Sequence, residues 1–600
     1  MKLSKAYSNR PSVFEPVRFN EGLNAIVAEI RLPQNLHRDT HNLGKSTFGL
    51  LLDFCLLSTR DPSMSLIKHD SFNDFEFFLE LRLVTGGLLT IRRSVEESSK
   101  ISFKRHLEHD QDLIDLPEDQ WDHYLVPFER ARSILDGYLD LTDLKPWNFR
   151  NGIGYLLRGQ GDYSDVFQLQ RFASAHKDWK PFIAHILGFD SESIKKYYEI
   201  EERVEELRDD VGRLELSAGT AVADSGKLDG LISIKQKEID RIQSRLEQFD
   251  FRQADVEGIG KIVDELDEQL ADLNQRKYVL TFDIKRLSTA LKNSQPLFST
   301  EDAASIFGEA GIIFDGQIKR DFDQLLEFNR AIGMERKEFL SEDRTERRRE
   351  LRQVNGEIEK LNVERSKLLS YVTSPDSIQK YKSASNTLVD LRAQLLALQN
   401  QRSSVDEMKR LRETKRAAES ELVELGRTIE ADVAAKSASD NTGLFGSIRT
   451  YFDDIIRSVI DRDALLAVSL NNKTHPVFSA EIMDDSGKAT SADLGTSYKK
   501  LLCVAFDLAL VRGHLDTRYP KFVYHDGIFE TLDPRKKLAL LGLMREYADL
   551  GVQQIITLLD SDAPIANDDD SSIPSITEDE TIVKLHDEGD QGRLFKMKSW

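Results

Sequence analysis

The sequence predicts an α/β head assembled from both chain ends, with a long antiparallel coiled-coil arm between them that carries a small folded insert. Three observations lead there. Strand-like and helix-like segments alternate over roughly the first 190 residues and again after about residue 441. Apolar residues at heptad spacing fill much of the stretch between. A Gly-Lys-Ser-Thr tetrapeptide near the N-terminus follows a strand-like run and opens an apolar helix.

Length and composition bound the answer. At 600 residues the chain is too long for one compact core. Hydrophobic residues make up 40% and charged residues 31%, as a protein with long exposed helices requires. No run approaches the ~18 consecutive apolar residues of a membrane span. Met1-Lys2-Leu3-Ser4-Lys5 lacks the apolar core of a signal peptide. The two cysteines, Cys55 and Cys503, lie far apart in apolar runs and read as buried thiols. They exclude a disulfide framework and favour a cytoplasmic location, and no C-x-x-C supplies a zinc hook for an arm tip. A net charge of −21 excludes a uniformly basic nucleic-acid surface, though acidic arms can mask a local basic strip.

Within the N-terminal part, residues 23–30 (LNAIVAEI) form a short apolar run of strand type. Residues 75–84 (FEFFLELRLV) and 88–91 read as further strands separated by Gly86-Gly87, a hairpin signal, and 101–105 as another. From about Ser191 the pattern turns to charged helix. Ile259, Val263, Leu266, Leu270, Leu273, Lys277, Leu280, Ile284, Leu287 and Leu291 alternate steps of four and three. A second seam runs Leu351, Val354, Ile358, Leu361, Arg365, Leu368, Val372, and a third Leu388, Leu391, Leu395, Leu398. Between the seams Phe298, Phe307, Ile312, Ile313, Phe314, Phe322 and Phe328 mix with Gly308, Gly311 and Gly316, which suggests a folded knob where the chain turns back. The expected organisation is therefore a first half-head over 1–190, an outgoing arm over 191–295, a knob over 296–340, a returning arm over 341–440 and a second half-head over 441–600. Gly219, Gly258, Gly260 and Pro375 are expected to joint the arm.

Asp39-Thr40-His41-Asn42-Leu43-Gly44-Lys45-Ser46-Thr47 then precedes an apolar helix over 48–57. Backbone N–H groups at such a helix start point at phosphate oxygens, and the helix dipole adds positive potential. Asn42, Gly44, Lys45, Ser46 and Thr47 are the candidate phosphate-loop residues, with Lys45 reaching the β and γ phosphates of ATP and the Ser46 hydroxyl ligating Mg²⁺. The first glycine of a full phosphate-loop pattern is replaced by Asp39. At the far end, the strand 520–526 (PKFVYHD) finishes in Asp526, which would hold the Mg²⁺ shell, and Leu532-Asp533 follows. Upstream, Leu494, Gly495, Thr496 and Ser497 form a small-residue turn before the helix over 501–512, a phosphate reader for a nucleotide on an opposing subunit.

This order of motifs resembles the SMC, RecN and RecF branch of ABC-type ATPases. The resemblance implies that Tyr155-Leu156-Leu157-Arg158-Gly159-Gln160-Gly161-Asp162 is the Q-loop and that Gln160 senses Mg²⁺ and the γ phosphate. It implies a homodimer closing through its heads on two ATP molecules, contact with double-stranded DNA, and accessory or nuclease-like effector subunits. The forms DTHNLGKST, LLRGQGDY and HDGIFE are similar to a divergent prokaryotic subgroup, members of which often belong to defence systems against phage and plasmids such as the Lamassu type. Three positions depart from the family pattern. Gly495 stands at the signature serine, Gly527 at the catalytic glutamate after Asp526, and Asp560-Ser561-Asp562 where a switch histidine is usual. Glu530 is the replacement candidate for the general base if the backbone after Asp526 bulges, and His525 is a second group beside it. Arg92, Arg93, Lys104 and Arg105 are candidate DNA phosphate contacts. Slow hydrolysis would make the chain a nucleotide-binding scaffold or inhibitor instead, and a RecN-like repair ATPase is a further alternative. His106, His109 and His123 are too scattered for a nuclease centre.

Overall fold

The computed structural model describes residues 1–35, 43–59, 64–169, 176–218, 225–247, 256–292, 316–369, 375–438, 442–484, 495–530, 532–564 and 575–598. Strands β1 (Lys2–Ser8), β2 (Val17–Arg18) and β3 (Leu23–Glu29) lead to helices α1 (Lys45–Cys55) and α2 (Ser65–Lys68). Strands β4 (Glu76–Arg82), β5 (Leu88–Ser94), β6 (Lys100–His106) and β7 (His123–Pro127) follow, then α3 (Phe128–Leu139), α4 (Phe149–Leu156), β8 (Leu157–Arg158) and α5 (His176–Ile186). The middle of the chain is helical: α6 (Ser191–Ala218), α7 (Ser225–Glu247), α8 (Val256–Lys292), α9 (Gly316–Leu369) and α10 (Pro375–Ser437). The C-terminal part holds α11 (Leu444–Ile460), β9 (Ala464–Leu470), β10 (Pro476–Ile482), α12 (Thr496–Gly513), β11 (Phe522–Asp526), α13 (Pro534–Asp549), β12 (Gln553–Leu559) and β13 (Thr581–His586). Two compact units result, Met1–Glu199 with Val423–Trp600, and Ile200–Leu422.

In the first unit, the described residues form a six-stranded antiparallel sheet in the order β2-β1-β4-β5-β6-β7. A second sheet runs β13-β3-β12-β11-β8, and all its neighbours are parallel. Strand β3, from the N-terminal part, lies between two C-terminal strands, so neither end of the chain completes this sheet alone. Parallel strands are covered on both faces and read as nearly continuous apolar runs. Strand β11, FVYHD, is buried at every position. Polar groups inside are matched: Gln553 accepts from the Leu3 N–H at 2.7 Å and donates to the Leu3 carbonyl at 2.8 Å, stitching β12 to β1. At a parallel sheet the crevice beyond the strand C-termini collects functional loops. Here those loops follow β3, β8, β11 and β12.

The second unit is built on heptad seams. Leu270 and Leu280 of α8 pack with Val354 and Ile358 of α9, and Ile239 of α7 packs with Leu388 and Leu391 of α10. Polar pairs fix the direction. Arg412 meets Glu215, Arg402 meets Asp229 and Arg392 meets Gln243, so residue numbers rise on one helix as they fall on the other and the pairing is antiparallel. Arg365, an odd member of its apolar seam, is buried and pairs with Asp267 at 2.6 Å. Ser385 donates to Asp267 at 3.1 Å and Tyr381 to Asp264 at 3.3 Å. One polar knot thus joins α8, α9 and α10 and pins their register.

One expectation changes. Residues 316–340, read as part of a folded knob, belong to α9, a single 54-residue helix. Helix propagation is cooperative, and one interior glycine such as Gly333 costs only about 1 kcal/mol against the long helix around it. The rest of that knob, including Phe298, Phe307, Ile312, Ile313 and Phe314, lies outside the described residues. The two compact units divide at Glu199/Ile200 and Leu422/Val423, inside α6, which begins at Ser191, and α10, which ends at Ser437. Pro375 starts α10, as an N-terminal proline suits, whereas Gly258 and Gly260 sit within α8 without ending it.

Replacing Arg365 with alanine leaves the half-buried Asp267 without its cation, so urea unfolding of the full chain followed by helical circular dichroism should show a loss of about 2–3 kcal/mol. A loss below about 1 kcal/mol would mean that the knot does not hold these helices together.

Candidate nucleotide-binding site

Gly44 immediately precedes α1 with φ 98°, a left-handed conformation that strains any residue with a Cβ. A Cβ there would also lie 2.6 Å from the Cβ of Leu594, whose N–H donates to the Leu43 carbonyl at 2.9 Å. The segment near the C-terminus therefore closes over the loop ahead of Lys45. No side chain caps α1 at Gly44, so the first-turn N–H groups remain available for an anion. Burial lowers the pKa of the Lys45 ammonium, while the carboxylates of Asp526, Glu530 and Asp562 oppose that shift. Ser46 is exposed and Thr47 half-buried, and Asp39 and Asn42 lie outside the described residues. Gly49 lets the helix approach β11, because a Cβ there would sit 2.7 Å from the Tyr524 ring. The Tyr524 hydroxyl donates to the Lys45 carbonyl at 3.2 Å.

The other end of α1 is held by three guanidinium groups. Arg93 donates to the carbonyls of Phe54 at 2.6 Å and Ser58 at 3.0 Å, Arg150 to Leu56 at 3.0 Å and Arg132 to Leu57 at 3.2 Å. Cations at a helix C-terminus complement the dipole. Arg93 is 1% exposed and burial pulls its pKa down to about 10. This corrects its reading as a DNA contact. Arg92 is likewise engaged with Glu76 at 2.8 Å, and Lys104 with Asp122 at 3.1 Å. Arg105 donates to the Gly86 carbonyl at 3.2 Å.

At the end of β11, Asp526 is buried. The Thr557 hydroxyl donates to its Oδ1, while Oδ2 has no hydrogen-bond partner among the described residues. A buried carboxylate oxygen left open in this way fits a divalent cation or its water. The backbone then turns. Gly527 has φ +67°, and its N–H donates to the Thr557 carbonyl at 3.1 Å. Glu530 folds back over it, so that a Cβ on Gly527 would lie 2.7 Å from Glu530 Oε1. The Gln160 amide reaches the same Oε1 at 3.5 Å. Lys500 Nζ donates to Glu530 Oε2 at 2.8 Å and to the Gly527 carbonyl at 3.0 Å. Asp526, Glu530 and Gln160 thus share one end of the sheet, and the fields of both carboxylates reach Lys45. Asp562, after β12, accepts from Lys537 at 3.2 Å.

Behind these residues lies a buried polar network. Arg158 forms a two-pronged pair with Asp507, both bonds 2.7 Å and both side chains fully buried. Burial pulls against the Arg158 charge, but Asp507 more than offsets it and raises its pKa above the ordinary value. Arg158 also donates to the carbonyls of Asp162 at 2.8 Å and Val166 at 3.1 Å, shaping the turn that carries Gln160. The His525 Nε2 pairs with Asp507 at 3.2 Å, and the imidazole is fully buried. Successive side chains on a strand face opposite ways, so His525 points into this network and not, as its position beside Asp526 suggested, toward a reacting water.

Gly495 caps the start of α12, and Thr496 and Ser497 open that helix, whereas Leu494 lies outside the described residues. Asp533 is an ordinary N-cap of α13, accepting from the Lys536 N–H at 3.2 Å. Sequence reasoning missed Lys500, Arg158, Asp507 and Leu594. A lysine one turn into α12 and an aspartate inside it carried a weak signal, and Leu594 carried none. Among the described residues no group of three or more His, Cys, Asp or Glu side chains forms a metal cage.

Comparison with known proteins gives a partial picture. Residues 455–599 match a family described as "Uncharacterised protein conserved in bacteria (DUF2326)". No curated protein matches the chain. Among solved structures, it is similar to the Smc head domain with a coiled coil and joint from Pyrococcus yayanosii, at 15% identity over 96% of this chain and 98% of that one, with a TM-score of 0.33. It is also similar to the Smc head domain with an extended coiled coil from Pyrococcus furiosus, bound there to the C-terminal domain of ScpA, at 13% identity over 96% and 97%, with a TM-score of 0.36.

Gly44→Ala should destabilise the chain by about 2 kcal/mol, since it meets both a left-handed backbone and the Leu594 side chain. Leu594→Gly in the same chain should relieve only the contact, so thermal unfolding of the double variant should stay below that of Leu594→Gly alone. Burial pushes the thiols of Cys55 and Cys503 up to about 12. Both should therefore resist a thiolate-selective reagent at about pH 8 in the folded chain and react promptly once denaturant is added.

Proposed function

We propose that this chain is an SMC-like ATPase whose head, assembled from both chain ends, binds ATP with Mg²⁺ between Lys45 and Asp526. The observation that carries this reading is the open Oδ2 of buried Asp526, at the C-terminal end of a parallel strand, with its field acting on the lysine that opens α1. The uncapped N–H groups of α1 receive the phosphates, and Lys45 neutralises the β and γ oxygens. Ser46 and Asp526 would hold Mg²⁺ together with phosphate oxygens, and Gln160, whose amide reaches Glu530, would sense it. Bound Mg²⁺ supplies neutralisation of charge on the transferring phosphoryl group. Glu530, folded over Gly527, accepts the proton of the attacking water, an assistance worth roughly 10²–10⁴-fold.

Two such heads close on two nucleotides, each offering Leu494, Gly495, Thr496 and Ser497 to the nucleotide of the other. Closure couples nucleotide state to DNA engagement and to partner or effector subunits in a cytoplasmic, SMC-like machine. The motif forms near both ends favour a role in prokaryotic defence against phage and plasmids. A scaffold that binds ATP and rarely hydrolyses it is the second reading, favoured by Gly527 at the position of the usual glutamate.

ATP affinity and turnover of the wild-type chain, Lys45→Ala and Glu530→Gln separate the two. Lys45→Ala should weaken ATP binding by at least roughly tenfold, the loss of one charge-assisted contact. Glu530→Gln should keep binding but lower turnover by roughly 10²-fold or more. Tight binding without wild-type turnover supports the scaffold, and no ATP binding at all refutes both readings.

A further inference from the structure

Lys500 has no role in any motif read from the sequence, yet its ammonium is committed to the most unusual part of the site. It donates to Glu530 Oε2 at 2.8 Å and to the Gly527 carbonyl at 3.0 Å, and it lies 5.5 Å from the centre of the Tyr163 ring. These three partners come from two places. Glu530 and Gly527 form the turn after β11, and Tyr163 ends the turn that carries Gln160. Lys500 itself stands on the first turns of α12. The side chain is mostly buried, with 11% of its surface exposed against 28% for Glu530.

Glu530 needs such support. A glutamate directly after a strand is aimed by the strand itself. Here the chain passes through Gly527 at φ +67° and returns three residues later, so the strand no longer sets the direction of the carboxylate. A flexible side chain on a turn has several rotamers, and a shift of about 1 Å in a catalytic group can cost roughly 10²-fold in rate. Among the described residues Oε1 makes one long contact, to Gln160, whereas Oε2 is held by Lys500 through a charge-assisted hydrogen bond. The second bond of Lys500, to the Gly527 carbonyl, fixes the turn as well as the carboxylate.

We infer that Lys500 is a positioning residue for Glu530: it orients the carboxylate toward the attacking water and ties that orientation to the first turns of α12. This inference rests on the proposed ATPase reading. It adds a consequence for regulation, since a phosphate from a second head bound at the start of α12 would be one side chain away from Glu530.

The test uses the full chain and Mg-ATP, with binding and single-turnover hydrolysis measured separately. Lys500→Met should lower the hydrolysis rate by roughly 10–100-fold while the ATP dissociation constant stays within about threefold. Lys500→Arg should restore most of the rate, because a guanidinium can make the same two donations. In a Glu530→Gln background Lys500→Met should add less than about threefold, since it acts through the group already removed. An unchanged rate in Lys500→Met, or losses that multiply in the double variant, would overturn the inference. So would ATP binding with no single-turnover hydrolysis in the wild-type chain, which leaves the nucleotide site itself standing. Absence of ATP binding would bring down the nucleotide site and this inference together.

Discussion

Asp507 is a fully buried carboxylate on α12, and it cannot be left alone there. An unpaired charge in a protein interior costs several kcal/mol, so its partners are held tightly. Arg158 meets it with two bonds from the strand β8, and His525 meets it from β11. The remaining Arg158 donors fasten the carbonyls of the turn carrying Gln160. One carboxylate thereby sets the relative position of the Gln160 turn, the strand ending in Asp526 and the helix bearing Lys500. Most of the candidate site inherits its geometry from that network.

Helix α1 supplies the complementary half. Its N-terminus is left open at Gly44, and its C-terminal carbonyls are covered by Arg93, Arg132 and Arg150. An open N-terminus favours anions, and a C-terminus matched by cations stays compatible with burial. Arg93, a candidate nucleic-acid contact by sequence, thus serves the C-terminus of this helix instead. The C-terminal segment contributes too, through Leu594 against Gly44.

The Ile200–Leu422 unit follows a different logic. Its apolar seams supply association, but seams of similar leucines do not by themselves choose a register. The Arg365–Asp267 pair, with Ser385 and Tyr381, supplies that choice by penalising every alignment that leaves a buried charge unmatched.

Much was legible along the chain. Periodicity located β3, the hairpin of β4 and β5, and the seams of α8, α9 and α10, because burial on one face imposes a period of two or 3.6 on local sequence. Lys45 and the strand ending in Asp526 could be singled out as candidates because each combines a local motif with a strand-end context. The knob over 296–340 was misread in part, since aromatic and glycine content says little once a helix is already propagating through residues 316–340. Strands β1 and β13 went unread, as KLSKAYS and TIVKLH owe their burial to neighbours distant in sequence. The partners of Arg158, the backward fold of Glu530, the hold of Lys500 and the closure by Leu594 were decided only in three dimensions. Each joins residues separated by a turn, a strand or several hundred positions, and no local pattern records which buried charge will meet which. Sequence alone determined the types of the candidate site residues and their order along the chain; tertiary structure decided which of them face one another, because buried charges are satisfied by whatever the fold brings near.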